Sequence, residues 1–296
     1  MIELAELKSN SVIVVGGPTA SGKSDLAIDL ALRYNGEIVN ADSMQIYDGT
    51  PIISAAPTKD DKAKVPHHLF EIYHPSKNGT VVDWLNLAVI KIREIWKRKK
   101  NPVVVGGTGM YIDNLINGTT PIPEIAQKIK EHVAMIANVY EWLLQHDELG
   151  AKMLNAKDTT RVRRAAEIFL GTGKSIAEWY NKPMIKQLPE ADFRVIKLLP
   201  SVEELDERCF LRFDKMMKIG ALDEVRWLDG LNLPDNLPAM KMLGVPELRK
   251  FLHNECSLSE AVELAKLHTR QYAKRQRTWF RNKLKAEIEI NCCYKK

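Results

Sequence analysis

Eight residues, Gly17-Pro18-Thr19-Ala20-Ser21-Gly22-Lys23-Ser24, set two glycines five positions apart and follow them with a lysine and a hydroxyl. This is the phosphate-binding loop pattern, in which backbone N–H groups at a helix start point at an anion and the helix dipole favours negative charge. Gly17 to Gly22 would form the diphosphate cradle, Lys23 would reach the terminal phosphates, and Ser24 would ligate Mg2+. A glycine-rich turn without a ligand has the same glycines but not the same flanks. Here Ser11–Val15 is a short apolar, β-branched run that reads as a buried parallel strand. Leu26, Ala27, Leu30 and Ala31 then recur at helical spacing. The loop therefore predicts a diphosphate or triphosphate, without saying what is done to it.

A second candidate lies at the end of the next strand, expected over Glu37–Asp42, where Asp42-Ser43-Met44-Gln45-Ile46-Tyr47 begins. A carboxylate at the carboxyl end of a strand next to a phosphate loop sits where open α/β sheets bind ligands. Taken alone, Asp42 fits a helix cap or turn equally well. A third strand, Val103–Val105, runs into Gly106-Gly107-Thr108-Gly109, whose glycines allow close approach to a ligand and place Thr108 at the same sheet edge. His67-His68 invites a metal reading, but one adjacent pair without further spaced ligands fits a hydrogen-bonded structural role better.

The elements that must hold these residues follow from periodicity. Trp84, Leu85, Ala88, Ile92 and Ile95 line one face of a helix over Val82–Lys99, ended by Asn101-Pro102. Strand and helix alternate to residue 105, implying a parallel sheet with right-handed crossovers. After Pro121-Ile122-Pro123 the alternation stops, and Glu124–Tyr180 reads as helices alone until strand character returns at Phe193–Leu199. Ser201 then opens a helix carrying Arg208, Arg212 and Lys215. The predicted architecture is α/β: a P-loop NTPase-like parallel sheet flanked by helices, residues 1–119 and 188–296, with an all-helical insertion domain over 120–187.

The chain has 296 residues, 45% of them hydrophobic, and a net charge of +5, so the placement of charge must carry any argument about an anionic partner. Cys209, Cys256, Cys292 and Cys293 show neither metal-ligand spacing nor a disulfide framework, and Cys292-Cys293 fall in a tail expected to be disordered. Without an apolar segment long enough for a signal or a span, the expectation is a cytoplasmic protein with no membrane partner. The last helix, about Ser259–Lys285, carries eight cations from Lys266 to Lys285 with no acidic residue among them and Tyr272, Trp279 and Phe280 interleaved. A solvated basic helix could look like this, but the charge density favours binding to a nucleic-acid backbone.

Together these stretches resemble the tRNA dimethylallyltransferase (tRNA isopentenyltransferase) family. The resemblance is carried by Gly17–Ser24, by Asp42–Tyr47, by Gly106–Tyr111 and by Thr269–Arg281 (T-R-Q-Y-A-K-R-Q-R-T-W-F-R). Val65–Leu69, Gly173–Ser175 and the Arg208–Gly220 spacing support it. It implies transfer of a dimethylallyl group from its diphosphate to N6 of the adenosine 3′-adjacent to a tRNA anticodon. Asp42 would be the general base, Thr108 would sit beside the reacting centre, and Lys23, Arg208, Arg212 and Mg2+ would neutralise the leaving diphosphate. Implied tRNA contacts are Asp42, Ser43, Met44, Gln45 and Thr108 at the target base, and Lys130, Thr160, Arg161, Val162, Arg163 and Arg164 in the insertion. Lys241 and Gly244, and Lys274, Arg275, Gln276, Arg277, Thr278, Trp279, Phe280 and Arg281 complete the set. The insertion would engage the anticodon stem-loop, and a monomer without zinc is expected.

The chain departs from the family pattern at Ala56 (usually Lys), Asn155 (usually His), Val245 (usually Tyr, and followed here by Pro246) and Lys130 (usually Arg). None of these touches Lys23, Asp42 or Thr108. An adenylate isopentenyltransferase would share the donor, and a P-loop metabolite kinase would share the loop. Neither needs the insertion or the basic helix.

Overall fold

The computed structural model describes residues 3–294. The chain divides into two compact units, one built from residues 1–116 and 188–296 and the other from 117–187.

The larger unit is a sheet with helices around it. Its first half runs β1 (Ser11–Gly16), α1 (Lys23–Arg33), β2 (Gly36–Asn40), α2 (Lys59–Lys64), β3 (His67–His68), α3 (Val81–Lys97), β4 (Asn101–Gly106) and α4 (Gly109–Asn117). The helical unit contributes α5 (Gln127–Ala134), α6 (Val139–His146), α7 (Glu148–Lys152), α8 (Thr159–Thr172) and α9 (Ile176–Tyr180). The larger unit then resumes with β5 (Asp192–Leu198), α10 (Val202–Lys218), α11 (Ala221–Gly230), α12 (Val245–Leu252), α13 (Leu258–Lys283) and β6 (Ile288–Ile290).

Among the described residues six strands lie in the order β3-β2-β4-β1-β5-β6, every pairing between them parallel. The parallel α/β architecture expected from the sequence is therefore the one found. β1 is central and reads Ser-Val-Ile-Val-Val-Gly because both of its faces are covered and all six residues are buried. Val12 and Val14 face one core with Trp84, Ile92 and Phe280, and Ile13 and Val15 face the other with Leu26, Ile28 and Leu30. Register pairs Gly16 with Gly106 and Asn40 with Val105, so the chain leaves β1, β2 and β4 at one edge.

Two short strands lack the alternation that would have marked them; the first agrees with the structural reading of the histidine pair, and the second lies in the C-terminal tail. His67 and His68 form β3 and are structural: His68 Nε2 pairs with Glu37 Oε2 at 2.7 Å, and His67 Nδ1 meets the Val65 carbonyl at 2.8 Å. Burial pushes the His67 imidazole down from its usual pKa. Ile288–Ile290 forms β6 beside β5, and just beyond it, in the tail expected to be disordered, Cys293 is instead buried. The Tyr294 N–H donates to the Ser21 carbonyl at 2.9 Å and its hydroxyl to Asp29 at 2.8 Å, so the phosphate loop itself orders the tail.

The helical unit has its own core of Val133, Val139, Leu143, Val162, Ala166, Ile168, Ile176 and Trp179. Asp158 caps α8 by accepting the Arg161 N–H at 3.1 Å.

Candidate active site and nucleic-acid surface

The phosphate loop joins β1 to α1 through two left-handed residues, Ala20 at φ 64° and Gly22 at φ 84°. Gly22 caps α1 without a side-chain hydrogen bond, which leaves the first helical N–H groups open for an anion. Lys23 Nζ donates to the Pro18 carbonyl at 3.3 Å, folded back over the loop. From α10, Arg212 donates to the Thr19 hydroxyl, and Arg208 Nη1 reaches the Tyr294 carbonyl at 3.4 Å. Burial, with Arg212 nearby and Asp42 opposing, pushes the Lys23 ammonium down to about 8, and burial lowers Arg212 too. An uncompensated buried ion costs several kcal/mol. Lys23 and Arg212 are half-buried rather than sealed off, so two cations facing a cavity beside open N–H groups make a site that an anion stabilises.

Asp42 is held by a small scaffold that sequence reasoning missed. Asn40, fully buried at the end of β2, donates through Nδ2 to the Asp42 and Leu69 carbonyls and accepts the Asp42 N–H at 2.8 Å. The Trp84 indole donates to the Asn40 carbonyl at 2.6 Å and stacks on Tyr111, fixing that strand end from α3 and α4. The signal was present: a lone Asn inside an apolar strand needs partners, and a turn supplies them. Asp42 Oδ1 accepts the Met44 N–H at 3.0 Å, so the turn reading was partly right, but this uses one oxygen only. Oδ2 lies 3.3 Å from where a Cβ on Gly107 would sit, against the glycine turn. Thr108 closes the same corner, with Oγ1 accepting the Ser43 N–H at 2.9 Å and donating to Ser43 Oγ at 3.1 Å.

Two cavities meet here. One, of about 520 Å³, is lined by the phosphate loop, Ser24, Arg208 and Lys215. The other, of about 300 Å³, is lined by Met44, Ile53, Phe213, Met216, Met242 and Leu243 with Lys241 and Tyr272. Thr19, Asp42, Ser54 and Arg212 line both. The Ser54 hydroxyl is buried there without a hydrogen-bond partner. Gln45 is spent internally, donating to the Ser54 and Ala55 carbonyls at 3.1 and 2.7 Å. Among the described residues no cluster of three or more His, Cys, Asp or Glu could hold a metal. Ser24, exposed at the start of α1, offers an oxygen at the cradle's mouth.

The expected RNA contacts divide by exposure. On α13, Arg275, Thr278 and Arg281 are exposed and Lys274, Arg277 and Trp279 half-buried, while Gln276 and Phe280 face inward. Charge on this helix is less unbalanced than the sequence implied: Lys266 pairs with Asp214 and Glu263, and Arg270 with Asp206. Arg277 Nε donates to the Pro200 carbonyl at 2.6 Å. On α8, Thr160, Arg161, Arg163 and Arg164 are exposed and Val162 is core; Lys130 is half-buried on α5. Gly244, at φ 94°, caps α12, where Val245 is buried and Pro246 occupies the first turn. Lys241 is exposed, as is Asn155, and Ala56 is half-buried. No helix among the described residues is long and apolar enough to cross a membrane.

Residues 45–283 match the family model described as IPP transferase. A tRNA dimethylallyltransferase of Rickettsia massiliae is 40% identical over 96% of this chain and 80% of its own length. The tRNA isopentenylpyrophosphate transferase of Bacillus halodurans superposes with a TM-score of 0.70 at 31% identity, covering 95% of this chain and 90% of that one. A eukaryotic dimethylallyltransferase, crystallised acting on tRNA, superposes at 0.81 with 30% identity over 92% of this chain and 70% of its own.

Proposed function

The chain belongs to the IPP transferase family, and on that premise we propose how it works: it transfers a dimethylallyl group from dimethylallyl diphosphate to N6 of the adenosine 3′-adjacent to the anticodon of tRNA, releasing diphosphate. The observation that carries the mechanism is the shared wall of the two cavities, where Asp42 and Arg212 stand between an anion cradle and an apolar space. The diphosphate lies in the cradle, on the loop amides, Lys23, Arg212 and, once turned from the tail, Arg208. The prenyl group lies toward Ile53, Phe213 and Met216.

In the transfer, the allylic C1–O bond breaks with its electron pair going to the diphosphate, whose charge Lys23 and Arg212 neutralise. A bond forms from N6 to C1, and the proton lost from N6 passes to Asp42 Oδ2. A positioned base of this kind contributes about 10²–10⁴-fold. Thr108 keeps the Asp42–Ser43 turn against the acceptor amine. Ser24 would hold Mg2+ together with the substrate's own oxygens, since its exposed hydroxyl at the start of α1 is the kind of hard oxygen donor this cation takes. When bound, Mg2+ withdraws charge from the leaving group.

The target base must leave its stack at a cost of a few kcal/mol. We assign its capture to the Asp42–Gln45 turn, and the RNA backbone to Lys274, Arg275 and Arg281 on α13 and to Thr160, Arg161, Arg163 and Arg164 on the helical unit. Cys209, Cys256, Cys292 and Cys293 are unpaired, which suits the reducing cytoplasm.

Incubation with dimethylallyl diphosphate and either an anticodon stem-loop or AMP tests the reading by mass spectrometry. One prenyl mass gained by the target adenosine supports it. Prenylated AMP with unmodified RNA, or no transfer at all, would refute it.

A further inference from the structure

Gln276 stands within the basic run of α13, between Arg275 and Arg277, yet it lies on the buried stripe with Thr269, Ala273 and Phe280 and is 7% exposed. Its amide is used at both ends. Oε1 accepts the Thr19 N–H at 2.8 Å, and Nε2 donates to the Gly107 carbonyl at 2.8 Å. One side chain thus ties the phosphate loop after β1 to the glycine turn after β4, two segments that are not joined covalently nearby. A Cβ on Gly107 would lie 2.5 Å from Nε2, so the amide packs directly on that turn. An amide can accept at one atom and donate at its neighbour; an ionised carboxylate cannot donate and an ammonium cannot accept. Flipping the amide would set both contacts against like partners, so only one orientation works.

We propose that Gln276 is a positioning residue for the transfer: it holds the phosphate loop and the Gly107–Thr108 turn in register, aligning the leaving diphosphate with the acceptor amine, and it makes no contact with RNA. The assignment rests on the proposed function and deepens it, since the site it braces is the one assigned to the donor.

The test uses the full chain with Gln276→Met and Gln276→Glu. Inorganic diphosphate binding is read by calorimetry, anticodon stem-loop binding by anisotropy, and transfer by single turnover. In Gln276→Met, diphosphate binding should weaken about tenfold and the single-turnover rate should fall at least as much, while stem-loop affinity stays within about twofold. Gln276→Glu should be impaired at neutral pH and recover diphosphate binding, relative to wild type, as the pH falls toward the carboxyl range. Once protonated, the acid can again donate to Gly107 while accepting from Thr19.

Loss of stem-loop affinity with diphosphate binding intact would overturn the assignment in favour of an RNA contact. Unchanged diphosphate binding and rate in Gln276→Met would also overturn it. If Gln276→Met fails to fold, the absence of any acid recovery in Gln276→Glu would do the same. Both binding measurements run without prenyl donor. A wild-type protein that bound both ligands yet moved no prenyl group would therefore sink the proposed function, not this assignment.

Discussion

The Thr108 hydroxyl accepts the Ser43 N–H at 2.9 Å, so the residue following the proposed base is tied to a turn at the end of a different strand. Thr108→Val removes that acceptor at nearly constant volume. Single-turnover transfer should fall about tenfold or more. Thr108→Ser should retain most of it. Equal rates in the two variants would show that the hydroxyl does not organise the site.

Asp42 commits Oδ1 to the Met44 N–H, which leaves Oδ2 for the role of proposed base. Asp42→Asn can keep the turn and lose the base. Turnover should drop about 10²–10⁴-fold with stem-loop affinity unchanged. A full-rate Asp42→Asn enzyme would remove proton transfer to this carboxylate from the mechanism.

Lys23 sits near 8 before the anion arrives, because burial and Arg212 outweigh Asp42. A bound diphosphate raises that value, so binding takes up a proton above this pH. Affinity for inorganic diphosphate should be pH-independent of Lys23 below about 7 and weaken as the pH rises through about 8, toward the tenfold-per-unit limit. Titration calorimetry in two buffers of different ionisation heat counts the proton. Lys23→Arg should abolish the uptake, and an unaltered uptake would assign it to another group.

Ser54 Oγ is buried without a partner at the junction of the two cavities. Removing an unsatisfied hydroxyl is close to neutral for folding. Ser54→Ala should therefore leave Tm within about 2 °C or raise it, while kcat/KM for the prenyl donor falls severalfold. A lowered Tm with unaltered kinetics would make the hydroxyl structural.

Far from the site, Glu37 gathers Arg98, Lys100 and His68. Its burial alone would raise the carboxyl, but these partners hold it near 2. The stabilisation is thus fully present above the ordinary Glu range and is lost as the pH falls from about 4 through 2. With solvent screening at the cations, Glu37→Gln should cost about 1–2 kcal/mol at neutral pH and nothing at the acid end. Urea unfolding at both pH values measures it.

What could be read from the sequence were segments whose chemistry is contiguous. Gly17–Ser24, Asp42 and Thr108 each sit at the end of a β-branched run, so pattern and position coincide. What could not be read depends on partners distant in the chain. Gln276 sits 257 residues from Thr19, and nothing local distinguishes its amide from those of a solvated helix. The charge on α13 was overcounted for the same reason, since Asp206 and Asp214 approach from α10. β3 and β6 have two and three residues, too few for any period to show.

The central strand takes one of its neighbours from far along the chain: Ser11 pairs with Asp192. A polypeptide emerging from the ribosome therefore cannot cover the second edge of β1 until the segment ending at Leu198 has left the exit tunnel. By that moment every residue of the 117–187 unit is already outside. That unit can finish its own core early, while β1 waits, paired with β4 on one edge and open on the other. During synthesis, the nascent sheet's open edge is the part of this molecule most in need of a chaperone.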